Sequence, residues 1–150
     1  MRKIVLGLLS ALAFSAVPAF ASQTIVAYEI DNFFVFTGNG GPGSTITVTA
    51  ILVNPANHSQ QIGTKQEWCQ ISGYNSLGHP VLWCDEHLSF PALKGSLNAQ
   101  GYFDETLFEA GVAQSIPIIG GGGVWAGKIG VETLKQIVFP NEILNTLVIN

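Results

Sequence analysis

The sequence predicts an all-β domain, a barrel or a sandwich built from about eight short strands. Apolar and polar residues alternate with a period of two in successive windows, and those windows are rich in β-branched residues. Gly, Pro, Asn or Asp bounds each window, as expected where strands end in turns. No window has the spacing of an amphipathic helix, so we expect strands throughout the domain.

The clearest strand covers residues 44–53. Its apolar residues Ile46, Val48, Ala50 and Leu52 share one face, while threonines occupy the alternate positions. This pattern is typical of a strand with one buried face. Similar strands are predicted at residues 23–30, 65–71, 81–90, 95–103, 115–119, 128–138 and 143–149.

The first residues resemble a secretory signal peptide. Arg2 and Lys3 precede an apolar run over residues 4–14, and an Ala-Phe-Ala site ends at Ala21. A membrane-spanning helix needs about 20 apolar residues, whereas serine and proline interrupt this run earlier. We therefore predict cleavage after Ala21, no membrane span, a single domain over residues 22–150, and a secreted or periplasmic location.

Charged residues are scarce, at 11% of the chain, and six cations face ten carboxylates. Two of those cations are Arg2 and Lys3, in the predicted leader. The rest of the chain therefore has no basic patch for phosphates, which argues against a nucleic-acid partner. The positive mean hydropathy indicates apolar surface that is buried in an oligomer or lines a cavity.

The two cysteines, Cys69 and Cys84, fall on successive predicted strands. An antiparallel hairpin that pairs them directly can join them in a disulfide, which an oxidising compartment favours. The same register places Trp68 and Trp83 together on the opposite face of the hairpin. Two unpaired thiols are the alternative.

Two motifs that commonly carry chemistry do not qualify here. Residues 122–128 fit the spacing of a phosphate loop, but Ile129 stands where Ser or Thr must hold magnesium. His58, His79 and His87 lack the spacing of a metal site. We therefore predict no cofactor and no metal.

Glu29 is the most notable carboxylate of the first strand, because it shares a face with Ile25, Ala27 and Asp31. If that face points into a barrel, burial raises the pKa of the Glu29 carboxyl and lets it exchange a proton near neutral pH. In the other interpretation, which the pattern alone favours, Glu29 lies at a wet rim.

Several segments, read in order, resemble the allene oxide cyclase-like barrel superfamily, which also includes plant dirigent proteins and bacterial polyketide cyclases. Residues 120–130 (GGGGVWAGKIG) resemble its glycine-rich pattern, and the likeness continues through residues 134–140. Residues 95–102 (GSLNAQGY) resemble a family strand, and residues 28–31 (YEID) resemble its opening Y-E-I-N. The likeness covers nearly all of the chain after the predicted leader.

This resemblance implies an eight-stranded antiparallel β-barrel with an apolar cavity, often assembled as a homotrimer, that binds a small hydrophobic molecule. In the family, a first-strand glutamate, two asparagines and a cysteine line the cavity. Glu29 matches the glutamate, Asp31 stands at the first asparagine, Asn54 corresponds to the second across a shorter loop, and Cys69 matches the cysteine.

Two further residues of the matching segments are candidate binding residues. These are Tyr28, beside the glutamate, and Trp125, which replaces the usual Tyr or Phe of the glycine-rich pattern. Two departures separate the chain from the plant enzymes. Asp31 adds a second negative charge near Glu29, and a bridge between Cys69 and Cys84 would remove the family thiol.

Two functions therefore stay open, and enzymatic status with them. The first is a secreted barrel whose catalytic candidates Glu29 and Asp31 lie at one end of an apolar cavity, where a small hydrophobic molecule binds and is guided through cyclisation, isomerisation or dirigent-like coupling. The second is a non-catalytic secreted binding or effector protein with a filled barrel. The space left by the inward residues decides between them: Glu29, Ile46, Cys69, Leu82 and Cys84.

Overall fold

Eight antiparallel strands close into one barrel in which each strand pairs with its chain neighbours and the first pairs with the last. The computed structural model describes residues 22–138 and 142–150, so the predicted leader and its cleavage site lie outside the described residues. The strands are β1 (Gln23–Thr37), β2 (Thr45–Asn54), β3 (Asn57–Tyr74), β4 (Pro80–Phe90), β5 (Gly95–Asp104), β6 (Gln114–Gly123), β7 (Gly130–Val138) and β8 (Glu142–Ile149). The predicted all-β barrel is confirmed.

Helical structure is limited to short pieces in the described ranges. A single 3₁₀ turn, Pro91–Leu93, joins β4 to β5, and a five-residue helix, α1 (Glu105–Glu109), follows β5. Asp104 caps α1, since its side chain accepts a hydrogen bond of 2.9 Å from the Leu107 N–H. The sequence did not reveal α1 because a helix of little more than one turn shows no periodicity. Neither helix is long and apolar enough to cross a membrane.

Strand faces follow the predicted alternation wherever one face is buried. On β2, Ile46, Val48, Ala50 and Leu52 are buried, while the threonines between them are partly exposed. β1 extends to Thr37, well beyond its predicted end at residue 30. Its last residues are exposed on both faces, so they carry no alternating pattern that could have predicted a strand.

The predicted disulfide between Cys69 and Cys84 is present. The two residues are directly paired across β3 and β4, with a Cα–Cα distance of 4.1 Å. On the opposite face of this hairpin, the rings of Trp68 and Trp83 meet edge to face with centroids 5.8 Å apart, as the register predicted.

One end of the barrel is filled. Trp125, in the loop between β6 and β7, is buried against Phe90, with ring centroids 5.5 Å apart. Its Nε1 donates a hydrogen bond of 2.9 Å to Gln23 Oε1, which satisfies the indole N–H. Gly95 makes room for the ring, because a Cβ at that position would overlap it. Trp125 therefore closes this end of the barrel.

Candidate functional site

The end of the barrel away from Trp125 contains a cavity of about 610 Å³. This volume lies within the range of about 300–1,000 Å³ typical of small-molecule sites. Its walls are mostly apolar side chains that point inward from five strands: Ile46, Val48, Leu82, Phe103, Leu134 and Ile143. Phe33 and Phe34 line it as well and are exposed, so the cavity reaches solvent.

The first strand brings two carboxylates to this cavity. Glu29 and Asp31 point inward at alternate positions of β1, and both line the cavity. A β-bulge between Asp31 and Phe33 then breaks the alternation. Glu29 is fully buried, so the interpretation that placed it at a wet rim is wrong. The barrel continues beyond Glu29 on β1 and β2, and this is why the carboxylate is enclosed.

Glu29 is held through one oxygen only. Its Oε2 accepts a hydrogen bond of 3.0 Å from Lys65 Nζ and one of 2.8 Å from Asn145 Nδ2. Its Oε1 has no hydrogen-bond partner within residues 22–138 and 142–150, and neither has Asp31 Oδ1. Each of these two acids of β1 therefore keeps an oxygen available to a ligand.

Lys65 is fully buried and joins several acids. Its Nζ lies 3.0 Å from Glu67 Oε2 and 2.7 Å from Glu86 Oε2, in addition to its bond to Glu29. The Glu86 contact is an ion pair without hydrogen-bond geometry. Glu132 is also fully buried in this group. One ammonium thus contacts three glutamate side chains and interacts electrostatically with a fourth, Glu132, and it cannot balance them all when they are ionised.

Burial dominates the titration of these acids. It raises the pKa of Glu29, although the nearby Lys65 ammonium opposes the shift. It raises the pKa of Glu86 well above its usual value, reinforced by repulsion from Glu132. Burial likewise raises the pKa of Glu132 to about 7, and burial together with the Glu29 charge raises the pKa of Asp31 to about 7.

Lys65 behaves in the opposite way from an isolated buried lysine. Burial alone would lower its pKa, but the surrounding carboxylates outweigh that effect and hold the pKa well above its usual value. The ammonium therefore stays charged while part of the acid group is protonated at neutral pH. The cavity is bordered by acids that can give or take a proton.

Glu67 also touches the disulfide. Its Oε1 lies 2.8 Å from Cys69 Sγ, a contact rather than a hydrogen bond, because a disulfide sulfur carries no proton. Glu67, Cys69 and Cys84 form the one group of close metal-ligand atoms in the described part of the chain. Metal binding by cysteine requires a thiolate, so this group does not form a metal site while the disulfide is intact.

The structure brings together only some of the residues that the sequence singled out. Glu29, Asp31 and Cys69 line the cavity. Tyr28 points outward and packs against His58, with ring centroids 4.7 Å apart. Tyr28 is therefore not a cavity residue, because its neighbours on β1 occupy the inward positions.

Asn54 and Trp125 also lie outside the cavity lining. Asn54 is the last residue of β2, beside the turn to β3. Its Oδ1 accepts a hydrogen bond of 2.9 Å from the Ala56 N–H, and its Nδ2 donates to Gln60 Oε1 at 3.0 Å. These bonds give Asn54 a role in the turn. Trp125 closes the other end of the barrel, so the structure does not place it against a cavity ligand.

Sequence reasoning missed Lys65, Glu86, Glu132 and Asn145. For two of them a signal existed: Lys65 is on the same face of β3 as Cys69, and Glu86 is on the same face of β4 as Cys84. Charged residues on a strand normally indicate a solvent face, and that rule concealed this buried group.

The fold and these inward acids can be compared with known proteins. The sequence pattern of the allene oxide cyclase barrel like domain matches residues 43–149. The chain belongs to this barrel family. None of the curated proteins compared with the chain matches it in sequence.

Solved structures of similar fold include several enzymes. A Diels-Alderase, AbmU from Streptomyces koyangensis, is 27% identical, with a TM-score of 0.70 over 85% of this chain and 63% of its own. A structure described as a nonspecific heme-binding cyclase of neoabyssomicin biosynthesis is 25% identical, with a TM-score of 0.72 over 85% of this chain and 64% of its own. The chain thus spans less than two thirds of these two proteins.

A dirigent protein is among the solved structures of lower sequence identity. A pterocarpan synthase dirigent protein is 13% identical, with a TM-score of 0.70 over 93% of this chain and 98% of its own. At this identity the likeness shows the barrel fold alone. The barrel family to which this chain belongs therefore has structural neighbours that are described as cyclases, Diels-Alderases and dirigent proteins.

Proposed function

We propose that this protein binds a small, largely hydrophobic molecule in its cavity and guides that molecule through a cyclisation, isomerisation or coupling. The observation that carries the proposal is the cavity of about 610 Å³ with apolar walls and the acids Glu29 and Asp31 on its lining. Apolar walls with a few convergent polar groups are the usual composition of a small-molecule site. The cyclase and Diels-Alderase neighbours support the same class of reaction.

The walls supply most of the catalysis. Enclosure by rigid strands holds a flexible molecule in one folded conformation, which lowers the entropy cost of bringing its reacting ends together. Asp31, with a pKa of about 7, then gives a proton to the ligand or takes one from it. Glu29 Oε1 accepts a ligand hydrogen bond, while Lys65 and Asn145 hold Oε2 in place.

The proposal is tested with the molecule that co-purifies with the protein from its own producer, or with the precursor inferred from it. Asp31→Asn and Glu29→Gln are compared with the wild type and with Glu142→Gln, which alters a carboxylate outside the cavity lining. We expect conversion to fall at least about tenfold in the two cavity variants, as for loss of an acid-base group, and to persist in Glu142→Gln. Equal conversion by all four proteins would exclude acid-assisted chemistry.

The disulfide favours a second candidate function. It occupies Cys69, so the cavity has no thiol, and a non-catalytic binding protein would need none. The filled barrel expected with that alternative is wrong, because the interior is filled only toward Trp125. A carrier would release its bound molecule chemically unchanged after prolonged incubation, whereas the proposed enzyme would convert it.

We also propose that the chain is exported and cleaved after Ala21, which the disulfide supports. N-terminal sequencing of the protein from its producer should begin at Ser22.

A homotrimer is our proposal for the assembly. The outward residues Val26, Val131 and Ile119 expose apolar surface on β1, β7 and β6, which assembly would cover. Light scattering that gives a monomer mass would exclude the trimer.

A further inference from the structure

The outer face of β2 to β5 has a composition unlike the rest of the barrel. Direct pairing across these four strands arranges its outward side chains in three rows of four. The rows are Thr45, Gln70, Trp83 and Tyr102; then Thr47, Trp68, Asp85 and Gln100; then Thr49, Gln66, His87 and Asn98. We call these twelve residues the outer amide-aromatic face.

Three aromatic rings lie at one end of this face. Trp68 is 39% exposed and Tyr102 is 62% exposed, and Trp83 is half-buried beside them. The Trp68 and Trp83 rings are inclined by 70°, so they form a corner rather than a flat platform. Exposed aromatic rings of this kind offer an apolar face to a ligand and, through their N–H or O–H groups, a polar edge.

Amides and hydroxyls surround the rings. Gln100 Nε2 donates to Asp85 Oδ1 at 3.1 Å, and His87 Nδ1 lies 2.8 Å from Asn98 Oδ1. These bonds hold the side chains in place and leave each amide with a further donor or acceptor. A depression of about 370 Å³ runs along the face, and its lining includes Trp68.

The composition selects among classes of partner. The twelve residues include no lysine or arginine, so the face does not suit nucleic acid or an anionic membrane. Threonines, amides and Asp85 make it more polar than the core of a protein–protein interface. Aromatic rings that stack on the C–H faces of sugar rings, next to amides that bind hydroxyl groups, suit an uncharged carbohydrate.

We propose that the outer amide-aromatic face binds a neutral polysaccharide chain. From strand spacing and rise, the face measures about 14 by 14 Å, enough for about two sugar rings. The corner between Trp68 and Trp83 suits a single soluble chain better than a flat crystalline surface. Such binding would hold the barrel in a polysaccharide matrix and is independent of the cavity.

The test is native affinity electrophoresis of the full-length processed protein in gels that contain hydroxyethyl cellulose, xylan, galactomannan, laminarin or glycol chitin. We expect retardation by at least one of these five polymers. Trp68→Ala should weaken binding to that polymer about tenfold, which corresponds to about 1.4 kcal/mol. Trp68→Phe should retain an intermediate affinity, because it keeps a stacking ring.

The matched control is Lys135→Ala, which truncates an exposed side chain on β7, on the far side of the barrel. It should bind the polymer as the wild type does, and thermal melts should show that all variants are folded. Tyr102→Ala provides a second variant if Trp68→Ala does not fold. Absence of retardation in all five gels, or equal retardation of the wild type and both alanine variants of the face, would overturn the proposal.

Discussion

Lys65 Nζ lies 3.0 Å from Glu29 Oε2, and both side chains are completely shielded from solvent. The pair joins β3 to β1 across the barrel interior, directly behind the cavity. A buried ion pair is a weak source of net stability, because desolvation of both charges offsets their attraction. Its effect here is to orient Glu29 and to keep a proton-exchanging group of acids inside an otherwise apolar barrel.

Replacement of Lys65 should therefore destabilise the barrel strongly. Lys65→Met leaves Glu29, Glu67 and Glu86 without their cation, and loss of one partner of a buried pair costs about 3–5 kcal/mol. The measurement is the free energy of unfolding in urea at pH 7. Lys135→Met, at an exposed position, should change it by less than about 0.5 kcal/mol. A similarly small change for Lys65→Met would contradict the account of the buried cluster.

Stability should fall as the pH rises from about 4 to about 7. The folded-state pKa values of Glu132 and Asp31 are raised to about 7, so in this interval the native state binds more protons than the unfolded state. The stability that these protonated acids contribute is fully present below the pKa that they have in the unfolded chain. It is lost once the pH has risen through the pKa that they have in the folded protein. For Glu132, which is fully buried, the loss is about 3 kcal/mol.

The pH dependence has a direct control. Glu132→Gln should flatten the decline in unfolding free energy between pH 4 and pH 7, because the amide does not titrate. Asp85→Asn, at an exposed position on the outer face of β4, should leave the decline as it is in the wild type. Stability that rises over this interval in the wild type would show that the buried acids are ionised in the folded protein.

Reduction of the disulfide should loosen the β3–β4 hairpin without abolishing the fold. The bridge spans a sequence separation of 15 residues, and a loop of that size contributes about 3 kcal/mol through the unfolded chain. Dithiothreitol should lower the urea midpoint of the wild type and leave a Cys69→Ser, Cys84→Ser double variant unaffected. A wild-type midpoint that does not respond to complete reduction, verified by thiol titration, would refute this contribution.

Much of the fold follows from patterns that the sequence displays. Residues 45–50 alternate because that part of β2 has one buried face, and the paired cysteines set the register of β3 on β4. The end of β1 beyond Asp31 was missed because it is exposed on both faces and lacks that alternation. The strand pattern thus reports burial, and it is silent where a strand has no buried face.

The site was less predictable than the fold. Glu29 and Asp31 could be proposed from one strand, but Asn145 reaches Glu29 from β8, 116 residues later in the chain. Only closure of β8 onto β1 brings these two residues together. Asn54 lies outside the cavity lining, and its side chain makes local hydrogen bonds at a hairpin turn.

The most direct test of the central proposal is native mass spectrometry of the protein purified from its own producer, beside an Ile46→Trp variant. Ile46 lines the cavity, and the larger ring should occupy the ligand volume. Lys135→Trp, on the outer wall, is the control for the added ring. The account predicts a small apolar molecule bound to the wild type and to Lys135→Trp and absent from folded Ile46→Trp. A wild-type protein that carries no such molecule would contradict the account. So would a bound molecule that Ile46→Trp retains as well as the wild type does.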